Sequence, residues 1–598
     1  MREARAVFAL ALAALAIPAG SVSAALDRAE MTTRSVIEEA YRTGAIDKSE
    51  MILAKAYSIY APSRLAPELR GGRIDRCGTG TVDAIDRALP DLPRDVADEI
   101  RLLRARPILD EYVDTAHFRI HYDTSGVHEI LSMAYLDSIM IAAEQSWGCL
   151  IDDLGFREPP PDGSDPDGGG GSDHFDIYVG NLTGVYGYCA ASYTVPDTPQ
   201  TDCTSFVVIE NDYAGFGYPD PADPMKVTVV HEFCHACQNA HDYTEEVWYK
   251  ECTSVWAEDY CYDDIDDYLQ YLPRFLASPY HSLDWDDPTG LRIYGSCVWN
   301  HWLAQYHEPV CVVAMWYAAE GSVPVFSVFD IVLSGSYGSS LEEALGWFAV
   351  WNFFTGFRDD GSHYEEGSSW PAVSMQRTYS TYPIVDGAPY SDYRPDHAGA
   401  NYTQFTNPSP GDVWDGLNIV YDGPWLGSVP SFAYVNYRAD EGSTAEYGEI
   451  PLNMAGNGVI SVDGWDAMDY ACLVVVNLTT NVNGMQYMYD VHQVSPADTD
   501  SVSHHEFALR PARPNPFGES TSISFTVPDA GGVVDITIYD VVGRKVRELA
   551  CGEWMDAGDC AAVWDGLDGS GQRVASGVYL VRLDIDGETA GEKLMALK

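Results

Sequence analysis

The chain has 598 residues, 46% of them hydrophobic and 12% aromatic, which excludes a disordered polymer and leaves room for roughly three or four folded units. Its formal charge is −55, from 90 acidic against 35 basic residues, and this excludes nucleic acid or an anionic membrane as a partner, since both would repel it. The charge is compatible with calcium binding, a salty habitat or basic substrates, and most simply with a solvated acidic surface that keeps an exported protein soluble.

Residues 1–24 read as a signal peptide. Arg2 and Arg5 precede an apolar run over 6–18 that is too short to span a bilayer, and Val22-Ser23-Ala24 resembles a small-residue cleavage site. No later run has the length of a membrane span, so no membrane insertion is expected after signal removal, and the expected location is secreted or cell-surface. Thirteen cysteines suit an oxidising destination. Cys189 with Cys203, and Cys551 with Cys560, flank turn-like loops and are candidate disulfides; Cys252 is a candidate bridge to Cys234 or Cys237.

Residues 25–112 carry helical periodicity, as in 35–41 and 96–103, and read as a helical N-terminal segment or pro-segment. Residues 113–372 read as an α+β catalytic unit. It comprises a strand at 117–122, a helix at 131–150, a Pro/Asp/Gly loop at 159–172, strands at 175–179 and 205–209, and a long helix beginning near Met225. Mainly helical sequence follows over 247–370. Residues 373–497 break into short β-runs separated by Gly, Pro, Asn and Asp, which suit a β-sandwich module. Residues 498–598 comprise a polar linker and a small separate β-domain. The expected fold class is therefore multidomain: an α+β lobe followed by all-β sandwich modules.

The chemistry centres on His231-Glu232-Phe233-Cys234-His235. Residues four apart share a helical face, so His231 and His235 point the same way and suit one zinc ion, with Glu232 beside the metal-bound water as general base. A catalytic zinc normally takes a third protein ligand. Two candidates lie seven apart on the next helix: Glu251, at its start and preferred, and Glu258, the alternative, which could instead orient a ligand His through its other ring nitrogen, as could Asp259. Tyr294 is a candidate oxyanion donor, set against an ordinary core tyrosine. Cys234 falls on the wrong helical face for a ligand, and His241 reads as a surface residue. Asp162, Asp165, Asp167 and Asp173 form a candidate calcium (Ca2+) loop, set against a plain acidic loop.

Several stretches resemble the secreted bacterial metalloproteases of the MXAN_6640 type, which are gluzincin-like: HFRIHYDTSG (117–126), LGFREPPPDG (154–163), HFDIYVGNL (174–182), VVIENDYAGF (207–216), KVTVVHEFCHACQ (226–238) and WYKECTSVWAED (248–259). The resemblance implies zinc (Zn2+) on His231, His235 and Glu251 with Glu232 as the base; the departure is Cys252, where the family carries glycine. The tail over 512–598, with NPF, IYDVVGRKV, WDGLDGSGQ and SGVYLVRL, resembles the FlgD-Ig-like C-terminal sorting domain of type IX secretion. This implies export across an outer membrane and contact with secretion machinery. The resulting expectation is a secreted zinc endopeptidase acting on protein or peptide substrates. The alternatives are a surface adhesion or scaffold protein with an inactive peptidase lobe, or a glycan-binding module in 373–497.

Overall fold

The helix carrying the two histidines is buried along nearly all its length, polar side chains included, so each of those polar groups must find a partner inside the protein. A computed structural model describes residues 28–596, apart from 197, 199, 409–413, 425–430, 439–445, 454–455, 496–506, 511, 513, 514, 516, 519, 529 and 556. The signal peptide at 1–24 and most of the polar linker lie outside the described residues.

The N-terminal segment is helical, with α1 (Thr33–Arg42), α2 (Lys48–Tyr60), α3 (Thr79–Ala88) and α4 (Arg94–Leu103). Asp47 and Glu50 form a reciprocal capping box at the start of α2, satisfying two backbone donors that would otherwise be orphaned. The central lobe follows. Its sheet runs β1 (Glu111–Asp114), β2 (Phe118–Tyr122), β3 (Phe175–Gly180), β4 (Gly187–Thr194) and β5 (Cys203–Glu210), in the order β1-β2-β3-β5-β4. Strands β2, β3 and β5 are parallel, while β1 and β4 are antiparallel edges. Strands β3 and β5 are buried along their whole length, as central strands covered on both faces must be. The sequence pattern did not single out β1, whose residues are mostly exposed, or β4, whose first half is buried and whose second half turns outward.

Helix α5 (Met133–Trp147), capped by Ser132 on the Tyr135 amide, packs with α6 (Ala222–Asp242) and α7 (Val247–Cys261). Helix α6 lies against β4, β5, α5 and α7, and Phe233 closes an aromatic cluster with Phe118, Trp147 and Phe175. Further helices fill the region between Leu272 and Phe353. Beyond them lie a five-stranded and a four-stranded sheet that enclose their own apolar core. The C-terminal domain stacks a three-stranded on a four-stranded sheet around Trp564, Phe525 and Leu583. The multidomain organisation, a helical N-terminal part with all-β modules at the C-terminal end, is as the sequence indicated.

The cysteine pairings differ from expectation. Among the described residues one disulfide is present, Cys149–Cys261, fastening the end of α5 to the end of α7. In the β4–β5 ladder, Cys189 faces Val207 whereas Cys203 faces Thr194, five residues further along, so the two thiols cannot meet. Cys551 and Cys560 lie on strands of opposite sheets. Cys234, Cys237 and Cys252 are buried thiols, and Cys252 is turned towards the Ser296 carbonyl. His241 is not on the surface: it is fully buried, its Nε2 accepting from the Arg157 amide.

Two outcomes follow. The Cys149–Cys261 bridge closes a 112-residue separation, so Cys149→Ser should cost about 2–5 kcal/mol, seen as a lowered melting temperature of the central lobe in calorimetry. Burial depresses His241 to about 4 and His301 to about 3, so in the unfolded chain both take up protons at a higher pH than in the fold. Stability should therefore fall as pH drops from about 6.5 towards 4, by up to about 1.4 kcal/mol per unit and histidine, and His241→Gln should flatten that slope in unfolding curves taken at pH 7 and pH 5.

Candidate metal centre

Helix α6 places His231 and His235 one turn apart, and the start of α7 crosses in front of them with Glu251. The Nε2 atoms of the two histidines lie 3.1 Å apart, and Glu251 Oε2 is 3.0 Å from His231 Nε2 and 3.6 Å from His235 Nε2. A fourth donor completes the group: Cys77 Sγ, from the N-terminal segment, is 3.3 Å from His235 Nε2. All four donor atoms lie within 4.8 Å of one another, and all four residues are buried. Tetrahedral zinc with bonds of about 2.0–2.3 Å separates its ligand atoms by roughly 3.3–3.6 Å, so two imidazoles, a carboxylate and a thiol at these spacings fit that ion in number and in donor chemistry.

The outer nitrogens are also held. Glu258 Oε1 lies 2.6 Å from His231 Nδ1, and Gln238 Oε1 lies 2.8 Å from His235 Nδ1. The Gln238 amide is oriented by its own NH2 group, which donates to the Lys250 carbonyl at 3.0 Å. Both Nδ1 atoms thus face acceptors and carry protons, which turns both Nε2 lone pairs toward the shared point. Burial works against a charge on His231, but Glu251 and Glu258 outweigh it and lift its pKa to about 9. A proton and a metal ion therefore compete for the same electron pair. Burial likewise opposes ionisation of Glu251, but the two imidazoles hold its pKa well below the usual carboxylate range.

Glu232 is fully buried, and burial raises its pKa. Its Oε2 accepts from the Thr79 hydroxyl at 2.9 Å, while Oε1 has no hydrogen-bond partner among the described residues. Strand β4 passes so close that a Cβ on Gly187 would stand 3.0 Å from Glu232 Cγ and 2.8 Å from Thr228 Cγ2, which accounts for glycine there. Behind Glu258, the buried Arg76 guanidinium lies 2.8 Å from its carboxylate and over the Tyr186 ring. Tyr294 is buried beside the site, with its hydroxyl donating to the Cys77 carbonyl at 3.5 Å.

The structure therefore brings His231, His235, Glu251, Glu232 and Tyr294 into one locus and puts Glu258 behind His231 as its orienting partner. Asp259 lies elsewhere, 3.8 Å from His301. Sequence reasoning missed Cys77, whose only signal was a cysteine between Arg76 and Gly78 far upstream of the motif. The acidic loop offered to calcium is turned inward on a side chain: Asp162, Asp165 and Asp167 lie 2.6, 3.9 and 3.0 Å from the Arg106 guanidinium, which Asp176 of β3 also faces at 2.9 Å, while Asp173 is exposed. An internal cation thus sits where the calcium reading put an ion.

Glu258→Gln should keep the shape of the pocket but weaken the orientation and basicity of His231. Zinc affinity, read by competition with a chromophoric chelator, should fall about 10–100-fold.

Residues 515–587 match the model of the FlgD Ig-like domain. No curated protein matches the chain. Among solved structures, PorZ of Porphyromonas gingivalis, described as a surface component of the type-IX secretion system, is 16% identical over 22% of this chain and 14% of that one, with a TM-score of 0.12. Latent PorU from the same organism is 16% identical over 38% of this chain and 19% of that one, at 0.14. CopC from Methylosinus trichosporium OB3b is 22% identical over 15% of this chain and 91% of that one, at 0.11. This chain thus spans less than a fifth of PorZ and PorU, and overlaps at these scores carry no statement about its fold or activity.

Proposed function

We propose that the central lobe is a zinc-dependent peptidase that hydrolyses peptide bonds of extracellular proteins. The observation that carries this reading is the convergence of His231, His235 and Glu251 at ligand spacing, with both outer imidazole nitrogens held by acceptors and Glu232 alongside with one oxygen unpartnered. A zinc ion held there would supply Lewis acidity and bring the pKa of a bound water to about 7.

The protein's own contribution is orientation and proton handling. Glu258 and Gln238 fix the tautomers of the two histidines. Burial raises the proton affinity of Glu232, which suits a group that accepts a proton at Oε1 and later delivers it to a leaving amine. Tyr294, whose hydroxyl makes a long contact to the Cys77 carbonyl at 3.5 Å, is within the locus as a donor to a developing oxyanion. Export fits the reading: the C-terminal Ig-like domain supports delivery to the cell surface or beyond through secretion machinery, and no described helix is long and apolar enough to cross a membrane.

The test is metal analysis with casein hydrolysis, run on the intact chain and after limited proteolysis has opened the covered site. One zinc per chain is expected. Glu232→Gln should retain the metal while hydrolysis falls by about 10²–10⁴-fold. A zinc-free protein, or an unchanged rate in the variant, sinks the proposal.

A further inference from the structure

The N-terminal segment closes the site with three separate contacts. The first is Cys77, whose thiol is the fourth donor of the cluster, in the position that a catalytic zinc keeps open for water or substrate. The second is Thr79, whose hydroxyl donates to Glu232 Oε2 and accepts from the Cys189 amide, so the general base is engaged by the same segment. The third is backbone pairing with residues 184–187, which lead into β4, the edge strand next to α6. The Asp75 amide donates to the Gly184 carbonyl, the Tyr186 amide to the Asp75 carbonyl, and the Gly78 amide to the Gly187 carbonyl at 2.8 Å. An exposed sheet edge beside a catalytic helix is where an extended peptide can be held by main-chain hydrogen bonds. Here the protein's own chain takes that place.

Neighbouring residues lock the arrangement. Arg76 is fully buried between Glu258 and Asp267. Helix α3 packs so tightly on α7 that a Cβ on Gly80 would lie 2.7 Å from Val247 Cγ1. Lys250 of α7 reaches Asp83 of α3 at 2.8 Å. The segment then leaves through an extended connection between α4 and β1, in which Ala105, Ile108 and Asp110 are exposed, Ile108 at 96%, while Arg106 is anchored on Asp162, Asp167 and Asp176. With His231, His235, Glu232 and Glu251 all at 1% exposure or less, no substrate reaches them in this arrangement.

Building on the peptidase reading, we infer that residues 28–110 are an inhibitory pro-segment, that the Cys77 thiolate holds the fourth coordination position of the metal, and that cutting the exposed connection at 105–110 releases the enzyme from latency. The segment is then more than a structural cap. Its cysteine blocks the metal, its threonine occupies the base, and its backbone fills the substrate edge, while the one exposed stretch leading out of it is accessible to a second protease.

X-ray absorption at the zinc edge of the intact chain reads the coordination without reference to activity. One sulfur at about 2.3 Å among nitrogen and oxygen ligands is expected, and Cys77→Ser should lose that sulfur while keeping one zinc per chain. A metal shell with no sulfur in the unaltered protein, or a sulfur that persists in Cys77→Ser, overturns the inference. Casein hydrolysis should appear on cutting within 105–110, both in the unaltered chain and in Cys77→Ser, while Glu232→Gln stays inactive cut or uncut. Equal rates from cut and uncut wild-type chain would overturn latency. A zinc–sulfur contact with Glu232-independent hydrolysis would leave the contact standing and defeat the peptidase reading alone.

Discussion

Burying several charges together is costly unless each is answered by a neighbour, and that constraint organises the centre of this protein. Helix α6 carries two imidazoles and a carboxylate into the interior, α7 adds Glu251 and Glu258, and the N-terminal segment adds Arg76. The chain of contacts runs Arg76 to Glu258 to His231 to Glu251 and His235, and then through Gln238 to the backbone of α7. No member can be removed without leaving another buried and unmatched. The helix pair is accordingly held by more than apolar contact, with a disulfide from α7 to the end of α5 and the Lys250–Asp83 pair from α7 to α3.

The same constraint explains why the N-terminal segment belongs to the lobe. Arg34, Arg76 and Arg106 are positive charges it drives inward, the first toward Asp286, the second toward Glu258 and Asp267, the third into the Asp162, Asp167 and Asp176 carboxylates. In a protein with a formal charge of −55, carboxylates that converge in space need local cations, and this segment supplies them. Residues that anchor the segment therefore also satisfy the lobe, so its removal would leave acids behind it newly solvated. The sheet edge at β4 is capped in the same event, which hides unpaired backbone groups that would otherwise invite association.

The first β-module encloses a core of its own, but the other face of its five-stranded sheet, with Tyr402, Tyr434 and Val474, packs into the central core, whereas the C-terminal domain has a separate core; among the described residues neither carries a group of potential metal donors. Residues 515–587 of the last module match an Ig-like domain.

What the sequence determined by itself was local and periodic. The four-residue spacing of His231 and His235, the apolar runs of β3 and β5, the amphipathic pattern of 25–112 and the Asp-Gly turns of the tail are all short-range features, and each is legible in one dimension because a single helix or strand enforces it. Glu251 was readable for the same reason, as an acid near the start of the next helix. Tertiary structure alone decided the rest. Cys77 and Thr79 reach Glu232 and His235 across more than 150 residues, and no periodicity encodes such a contact. The pairing of Cys149 with Cys261, in place of the nearer pairs, follows from where α5 and α7 end in space, since a disulfide requires Cα atoms within about 7 Å whatever the sequence separation. The acidic loop at 162–167 presented a cation site in the sequence, and only folding revealed that Arg106 is the cation that fills it.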